Sequence, residues 1–148
     1  MTSYTPNLAM PLLFAAQSQK EILHNEAIVV LDAITTGSAE ALANDPSALT
    51  PAEGQLWIVG PDPVGAWSGR AGALALFTAG GWRFVSPLAG MRVYDRAAAM
   101  IRFCNGTIWT STDAVAAPAG GDIIDAEARA ALSALLIVLR TVGLQPAA

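Results

Sequence analysis

Residues 73–85 of the chain read ALALFTAGGWRFV, which is two short apolar runs on either side of a Gly-Gly pair. Apolar runs bounded by glycine are typical of two antiparallel strands joined by a tight turn. We therefore predict strands at Ala73–Phe77 and Trp82–Val85, joined through Gly80-Gly81. This hairpin indicates that the middle of the chain forms a β-sheet.

The same pattern continues on both sides of the hairpin. Four further strands are predicted from short apolar runs bounded by turn residues: Gln55–Val59, Arg92–Tyr94, Met100–Phe103 and, after an Asn105-Gly106 turn, Thr107–Thr110. A weak internal repeat relates Leu74–Trp82 to Met100–Trp109, since each unit has a strand, a glycine turn and a strand with Trp. The repeat predicts two hairpins that contribute aromatic pairs to one core. Residues 39–53 are interpreted as an irregular loop.

A first helix is predicted over Ser18–Ile34. Ser18 and Glu21 have the spacing of a capping box, and Gly37 lies just beyond the expected end. The apolar residues of the segment recur at helical spacing and form one stripe: Ile22, Leu23, Ala27, Ile28, Leu31 and Ile34.

The ends of the chain differ in character from this central region. Residues 1–17 contain Pro6 and Pro11 and little charge, which indicates an extended arm or, alternatively, a disordered terminus. Residues 116–121 are small and flexible in composition, and predict a linker. We therefore divide the chain into an N-terminal arm at 1–17, a helix and antiparallel β domain at 18–115, and a flexible linker with a C-terminal helix at 116–148.

The C-terminal helix is predicted over Asp125–Val142, with Asp125 available as its cap and Gly143 as its stop. Spacings of four and three give it a heptad seam of Ala128, Leu132, Leu135, Leu139 and Val142. A helix that is apolar on nearly all sides is normally buried. Two modes of burial remain open: against copies of itself, or back on its own domain. The first mode predicts an oligomer interface of Leu132, Leu135, Leu136, Leu139 and Val142.

The composition supports contacts between subunits. Apolar residues make up 53% of the chain and charged residues only 14%, against about 25% in typical domains. The eight Lys and Arg are scattered and the net charge is -4, so no nucleic-acid partner is expected. The longest apolar run, 130–139, is much shorter than the ~20 residues that span a bilayer. We expect no membrane insertion.

No catalytic constellation is visible, and we expect no enzymatic activity, cofactor or metal. Glu21 and His24 have a spacing found in di-iron bundles, but the chain has no second histidine. His24 is therefore interpreted as a packed histidine that is hydrogen-bonded to backbone. A thiol–imidazole pair of Cys104 with His24 lacks an orienting third group. A hydrolase acting on the cell surface is the weakest alternative.

The four tryptophans indicate an alternative function, which is glycan binding. Trp82 and Trp109 lie in the repeated hairpins and are predicted to be core residues. Trp67 lies in a glycine-rich loop, Gly65–Gly72, and is the one most expected to be exposed. It is a possible glycan contact, because an exposed indole can stack on a sugar ring. This defines the alternative function of a module that binds host capsule or surface polysaccharide.

Several segments resemble a domain family of unknown function found in tailed phages, prophages and gene transfer agents of alphaproteobacteria. They include LLFAAQSQKE at 12–21, HNEA at 24–27 and LDA at 31–33, and the similarity continues to about Trp109. The most distinctive part is a helix signature that we interpret as structural: Gln19, Lys20, His24, Asn25 and Glu26. Asn25 and Glu26 are predicted to fasten a loop onto the helix. The terminal helix is similar to those of gene-transfer-agent members.

The resemblance implies a virion structural protein of a tail fibre or head spike, with no catalytic residue to carry over. The single helix after the β region favours a base or adaptor that takes part in host attachment. We expect an α+β fold, in which an N-terminal helix packs on a small antiparallel sheet of hairpins and an oligomerisation helix follows. The expected partners are copies of the chain (a trimer in a fibre or a pentamer at a capsid vertex), other capsid or fibre proteins, and possible host polysaccharide. The expected location is a virion or virion-like particle assembled in the bacterial cytoplasm.

Overall fold

The structure is a computed structural model that describes residues 4–13, 20–121 and 125–146. In these residues the chain forms two helices, α1 at Lys20–Thr36 and α2 at Ala126–Thr141. Between them lie eight strands: β1 at Ser38–Ala39, β2 at Leu42–Ala43, β3 at Leu56–Val59, β4 at Leu74–Thr78, β5 at Gly81–Val85, β6 at Arg92–Asp95, β7 at Met100–Cys104 and β8 at Trp109–Thr110. The α+β class and all six predicted strands are confirmed.

The strands form two four-stranded sheets, so the prediction of one small sheet is wrong. The β1 sheet has the order β1-β6-β7-β8, and the β2 sheet has the order β2-β3-β4-β5. Each sheet is an antiparallel meander of three strands with one short parallel strand at its edge. The weak sequence repeat therefore reflects two equivalent meanders, each of which ends in a strand that carries Trp.

The two parallel edge strands lie where the sequence predicted only a loop. Ser38 pairs with Tyr94, and Leu42 pairs with Ile58. Each of these strands has only two residues, which is too short to produce a visible alternation of apolar and polar side chains. Their hydrogen-bond partners are also distant in sequence, so no local turn motif predicts these two strands.

The β2 sheet is covered on both of its faces. Successive residues of a strand point to opposite faces, yet all four residues of β3 are buried. On one face, a core cluster combines this sheet with the β1 sheet and α1. Its fully buried members are Ala33, Ala39, Leu56, Ile58, Leu74, Leu76, Val93, Cys104 and Trp109.

A second cluster lies on the opposite face of the β2 sheet. Its buried members are Trp57, Val59, Trp67, Ala73 and Ala75, with Trp82 packed at the margin. Trp82 and Trp109 consequently belong to different clusters, and the expectation that both hairpins serve one core is wrong. Successive side chains of β3 and β4 point to opposite faces of the sheet, so neighbouring residues belong to two separate core clusters.

Helix α1 packs on the β2 sheet through a face different from the predicted stripe. Val29, Val30 and Ala33 contact the core cluster, whereas Leu23 and Leu31 are 75% and 53% exposed. The helix carries apolar residues around most of its circumference, so spacing alone did not select the packing face. The start predicted at Ser18, together with Gln19, lies outside the described residues.

Polar contacts fix the rotation of α1 about its axis. The Glu26 carboxylate forms an ion pair with Arg83 of β5. The side chain of Asn25 is hydrogen-bonded to both the N–H and the carbonyl of Leu13, at 2.9 Å each. The prediction that Asn25 fastens a loop onto the helix is thus confirmed. Glu26 was predicted to do the same, but it joins the helix to strand β5 instead. His24 is exposed, so the prediction of a packed histidine is wrong.

The described part of the N-terminal arm folds back on α1 around one buried carboxylate. Asp32 accepts hydrogen bonds from the Thr5 hydroxyl at 2.9 Å and from the backbone N–H of Asn7 and Leu8 at 2.9 and 2.7 Å. Residues 4–11 form a closed turn with a bridge between Tyr4 and Pro11. The arm is therefore not extended in this part, and it covers its own helix. Residues 1–3 and 14–17 of the predicted arm lie outside the described residues.

Replacing Asp32 with Asn is expected to lower the free energy of unfolding by about 2–4 kcal/mol, because an amide cannot accept all three of these hydrogen bonds. Urea unfolding at neutral pH measures this loss. Asp62→Asn, at an exposed carboxylate, is the control and should change little.

The contribution of Asp32 should also depend on pH. Burial by itself raises the pKa of Asp32, but the hydrogen bonds from Asn7, Leu8 and Thr5 outweigh burial, and the pKa lies below its ordinary value of 3.8. A lowered folded-state pKa stabilises the fold above pH 3.8, and this stabilisation is lost as the pH falls through the lowered pKa. The difference in stability between wild type and Asp32→Asn should therefore shrink in acid; a constant difference would contradict this assignment.

Candidate interaction surface

The described residues leave two helix faces uncovered, and the first of them is on α2. The helix starts as predicted, because the Asp125 side chain accepts a hydrogen bond from the Ala128 N–H at 2.8 Å. Glu127 lies in the first turn and Arg140 in the last, where each charge suits the helix dipole.

The end of α2 is docked on the β1 sheet. The Gly143 carbonyl accepts a hydrogen bond from the Ile101 N–H of β7 at 2.6 Å. Gly143 has a φ of +72°, and a Cβ added there would lie 3.0 Å from the Tyr94 ring. A glycine is required here both by conformation and by space, so the residue that stops the helix also attaches it.

Hydrogen bonds also join α2 and the residues after it to the segment that precedes the helix. Gln145 is buried and donates to the Leu136 carbonyl at 3.2 Å, while its side-chain oxygen accepts from the Val115 N–H at 3.1 Å. The Thr112 hydroxyl donates to the Leu144 carbonyl, and the Arg129 guanidinium donates to the Gly120 carbonyl. These bonds join α2 and the residues after it to the segment that precedes it, and the Ile101–Gly143 hydrogen bond joins its end to the β1 sheet.

Leu136 lies on that inward face and is only 8% exposed. Its assignment to an oligomer interface is therefore corrected: it packs within its own chain. Successive helical residues are about 100° apart, so Leu135 falls on a different face. Of the two modes of burial that the sequence left open, packing on its own chain accounts for the face at Leu136 only, since Leu132, Leu135 and Val142 are exposed.

The other predicted interface residues form the outward face, which we call the α2 seam: Ala128, Leu132, Leu135, Leu139 and Val142. Leu132 is 49% exposed and Leu135 is 53% exposed, and none of the five residues carries a charge. Completing the burial of the four large side chains is worth about 1 kcal/mol each, or about 4 kcal/mol in total. Association costs about 4–15 kcal/mol. The seam by itself is therefore near the lower limit for holding two copies together.

The second uncovered face is on α1, and we call it the α1 stripe: Leu23, Ala27, Ile28, Leu31 and Ile34. It belongs to the stripe that the sequence predicted, but Leu23, Ala27 and Leu31 are exposed, and Ile28 and Ile34 are half-buried. The acidic residues Glu26 and Asp32 are engaged by Arg83 and the N-terminal arm, and they lie off the stripe. The sequence signal for this surface was the recurrence of apolar residues at helical spacing, although the exposed His24 lies on the same side as Ile28 and Leu31.

Trp67 is fully buried, with 0% of its surface exposed, so the prediction of an exposed glycan contact is wrong. A 3-10 turn at Gly65–Trp67 places its indole edge-on against Trp82, with ring centroids 5.0 Å apart. The Arg70 guanidinium lies 4.9 Å from the centre of the Phe84 ring. The glycine-rich loop is therefore a lid over the outer face of the β2 sheet, and Trp67 cannot stack on a sugar in this conformation.

The residues considered for catalysis lie apart. Cys104 is buried in the core cluster and His24 is exposed on α1. Within residues 4–13, 20–121 and 125–146, no group of three or more His, Cys, Asp and Glu side chains could hold a metal ion. Neither helix of the described chain is both long and apolar enough to cross a membrane.

Two clefts of about 380 Å³ each are present. One is lined by residues of the arm, α1 and the β4–β5 turn, including the ion-paired Glu26 and Arg83. The other is mainly apolar and lies beside Trp109, whose indole N–H donates to the Gly72 carbonyl at 2.7 Å. Their polar groups are largely engaged within the fold, so the uncovered helix faces remain the candidate interaction surface.

The fold and its surface define a two-sheet α+β domain with an additional C-terminal helix. The chain belongs to the DUF2793 family, described as proteins of unknown function, and the match covers residues 24–110. This confirms that a domain of a family of unknown function spans most of α1 and both sheets, while residues 12–23 and α2 lie outside the matched segment. No curated protein matches the chain.

Replacing Trp67 with Ala is expected to lower the free energy of unfolding by about 3–5 kcal/mol, because it opens a large cavity against Trp82 and Trp57. Urea unfolding, with near-ultraviolet circular dichroism to follow the tryptophan packing, measures the effect. Trp67→Phe fills part of the space and should lose less. An Ala variant with wild-type stability would contradict the structural role of this indole.

Proposed function

We propose that this protein is a structural component of a phage or gene-transfer-agent particle, acting as the base or adaptor of a head spike or tail fibre in host attachment. The observation that carries this proposal is the exposed, uncharged seam on a helix whose C-terminal end is hydrogen-bonded to the β1 sheet. The resemblance of the helix signature to particle proteins supports the same role.

The architecture suits a connecting part. The segment matched by DUF2793 forms a body in which the β2 sheet is covered on both faces, and the N-terminal arm is fastened to that body through Asp32. Helix α2 lies outside the matched segment and presents Leu132, Leu135 and Val142 outward. An adaptor needs a stable body together with an apolar surface for the next subunit, and the chain provides both.

We further propose that the protein acts as a homo-oligomer. Spikes and fibres are built on rotational symmetry, and most soluble oligomers are closed and cyclic. A trimer suits a fibre and a pentamer suits a capsid vertex. Because the seam is near the energetic limit for association, assembly should depend on protein concentration.

Replacing Leu135 with Lys is expected to dissociate the oligomer, because it would bury an unpaired charge in the seam. Mass photometry and sedimentation across a concentration series measure this. Ile137→Lys is the matched control, since Ile137 is 60% exposed and lies on the opposite side of α2. Far-ultraviolet circular dichroism should be the same for all three proteins.

A wild-type chain that stays monomeric up to high micromolar concentration would overturn the homo-oligomer. A truncation at Gly121 is a poorer test, because it also removes Gly143, which hydrogen-bonds to β7, and Gln145, which hydrogen-bonds to Val115 of the remaining chain. The particle role is tested separately by imaging purified particles that carry a tagged copy. The label should occupy one class of site on the head or tail, and particles without the tagged protein would contradict the role.

A further inference from the structure

We propose that the Asn105-Gly106 turn is a self-modification site, at which the Gly106 nitrogen attacks the Asn105 side chain and converts it to aspartate or isoaspartate. The turn lies between β7 and β8, and Asn105 is exposed. The proposal is independent of the particle role, because it rests on the chemistry of one hairpin.

The side-chain carbonyl of Asn105 is held by three hydrogen-bond donors. Its Oδ1 accepts from the backbone N–H groups of Thr107 and Ile108 at 3.0 and 2.9 Å, and from the Thr107 hydroxyl at 3.1 Å. Donors aimed at a carbonyl oxygen stabilise the negative charge that develops there when a nucleophile adds to the carbon. The hairpin therefore activates Cγ of Asn105 toward addition.

The Gly106 nitrogen is the nucleophile, and little hinders it. It is bonded to the main-chain carbonyl carbon of Asn105, so its attack on Cγ closes a five-membered ring. Among the described residues, its N–H donates to the Cys104 Sγ alone, at 3.3 Å, and a thiol sulfur is a weak acceptor. Glycine has no Cβ to crowd the approach, and the φ of +111° at Gly106 is readily adopted by glycine.

The reaction needs only water as its co-reactant. Hydroxide takes the proton of the Gly106 nitrogen, the nitrogen bonds to Cγ of Asn105, and a succinimide ring forms as the Cγ–Nδ2 bond breaks. Nδ2 takes a proton from water and leaves as ammonia. All side-chain hydrogen bonds of Asn105 to described residues use Oδ1, so none of them retains the leaving group. Addition of water to either ring carbonyl then gives aspartate or isoaspartate.

The other asparagines of the chain lack this combination. Asn7, Asn25 and Asn44 are followed by Leu, Glu and Asp, and each of these side chains crowds the nitrogen that would attack. Asn7 and Asn25 also donate through Nδ2 to backbone carbonyls, which holds the leaving group in place. Asn105 is therefore expected to react first.

The two products differ in their effect on the hairpin. Aspartate keeps an oxygen at the position of Oδ1, so the three donors stay paired. Isoaspartate adds one carbon to the main chain next to the pair formed by Cys104 and Trp109. The Trp109 indole N–H donates to the Gly72 carbonyl at 2.7 Å and so joins the two sheets. Isoaspartate should therefore weaken both the β7–β8 pairing and this contact.

The test follows all four asparagines in the full-length protein. Folded chain and chain unfolded in guanidinium chloride are incubated at mildly alkaline pH, and peptide mass spectrometry measures the exchange of each amide for a carboxyl group. In the folded chain, Asn105 should react several-fold faster than Asn7, Asn25 and Asn44, and at least as fast as it does when unfolded. A slower reaction in the folded chain would rule the proposal out, because the hairpin would then protect Asn105.

A pair of variants tests the donors to Oδ1. Thr107→Val removes the hydroxyl donor with little change in volume, and it should slow the reaction of the folded chain several-fold without changing the rate in guanidinium chloride. Thr110→Val is the matched control, because the Thr110 hydroxyl belongs to the same hairpin but donates to the Phe103 carbonyl. Equal rates in folded wild type and Thr107→Val would refute activation by this donor.

The products are compared by their unfolding. Asn105→Asp reproduces one product and should unfold at the same concentration of guanidinium chloride as wild type. The isoaspartyl form, separated chromatographically from an aged sample, should unfold at a lower concentration. An isoaspartyl form as stable as wild type would contradict the expected damage to the β7–β8 pairing.

Discussion

The constraint on which the structure depends is the burial of the β2 sheet on both faces. Strand β3 sends Leu56 and Ile58 to one side and Trp57 and Val59 to the other, and all four are buried. Two different covers are therefore needed. The β1 sheet and α1 supply one, and the loop that carries Trp67 supplies the other. The glycine-rich loop thus contributes Trp67 to the core, so this indole is not available to stack on a sugar.

Polar contacts decide which way the covering elements turn. A buried carboxylate is stable only when hydrogen bonds replace its water, and the N-terminal arm supplies them to Asp32. This requirement, together with the ion pair of Glu26 and Arg83, sets the rotation of α1. The packing face is then Val29, Val30 and Ala33. The same rotation leaves Leu23 and Leu31 in water.

Helix α2, near the other end of the chain, is also positioned by polar contacts. Gln145 and Gly143 attach it through hydrogen bonds, and only a narrow face around Leu136 is used for packing. The chain therefore satisfies the buried Asp32 and Gln145 side chains internally, while it leaves apolar faces on both helices. A subunit of a larger assembly needs this distribution, because its remaining hydrophobic stabilisation comes from its neighbours.

The sequence by itself determined the helices, six of the eight described strands and the candidate seam, because these depend on local spacing, caps and glycine turns. Only the tertiary structure decided the division into two sheets, since β1 and β2 pair with strands far away in the chain, as Ser38 does with Tyr94. It also decided which side of each helix faces inward and that Trp67 is buried. Both helices are apolar on more than one side, so the choice of face came from distant polar partners and from the need to cover the sheet.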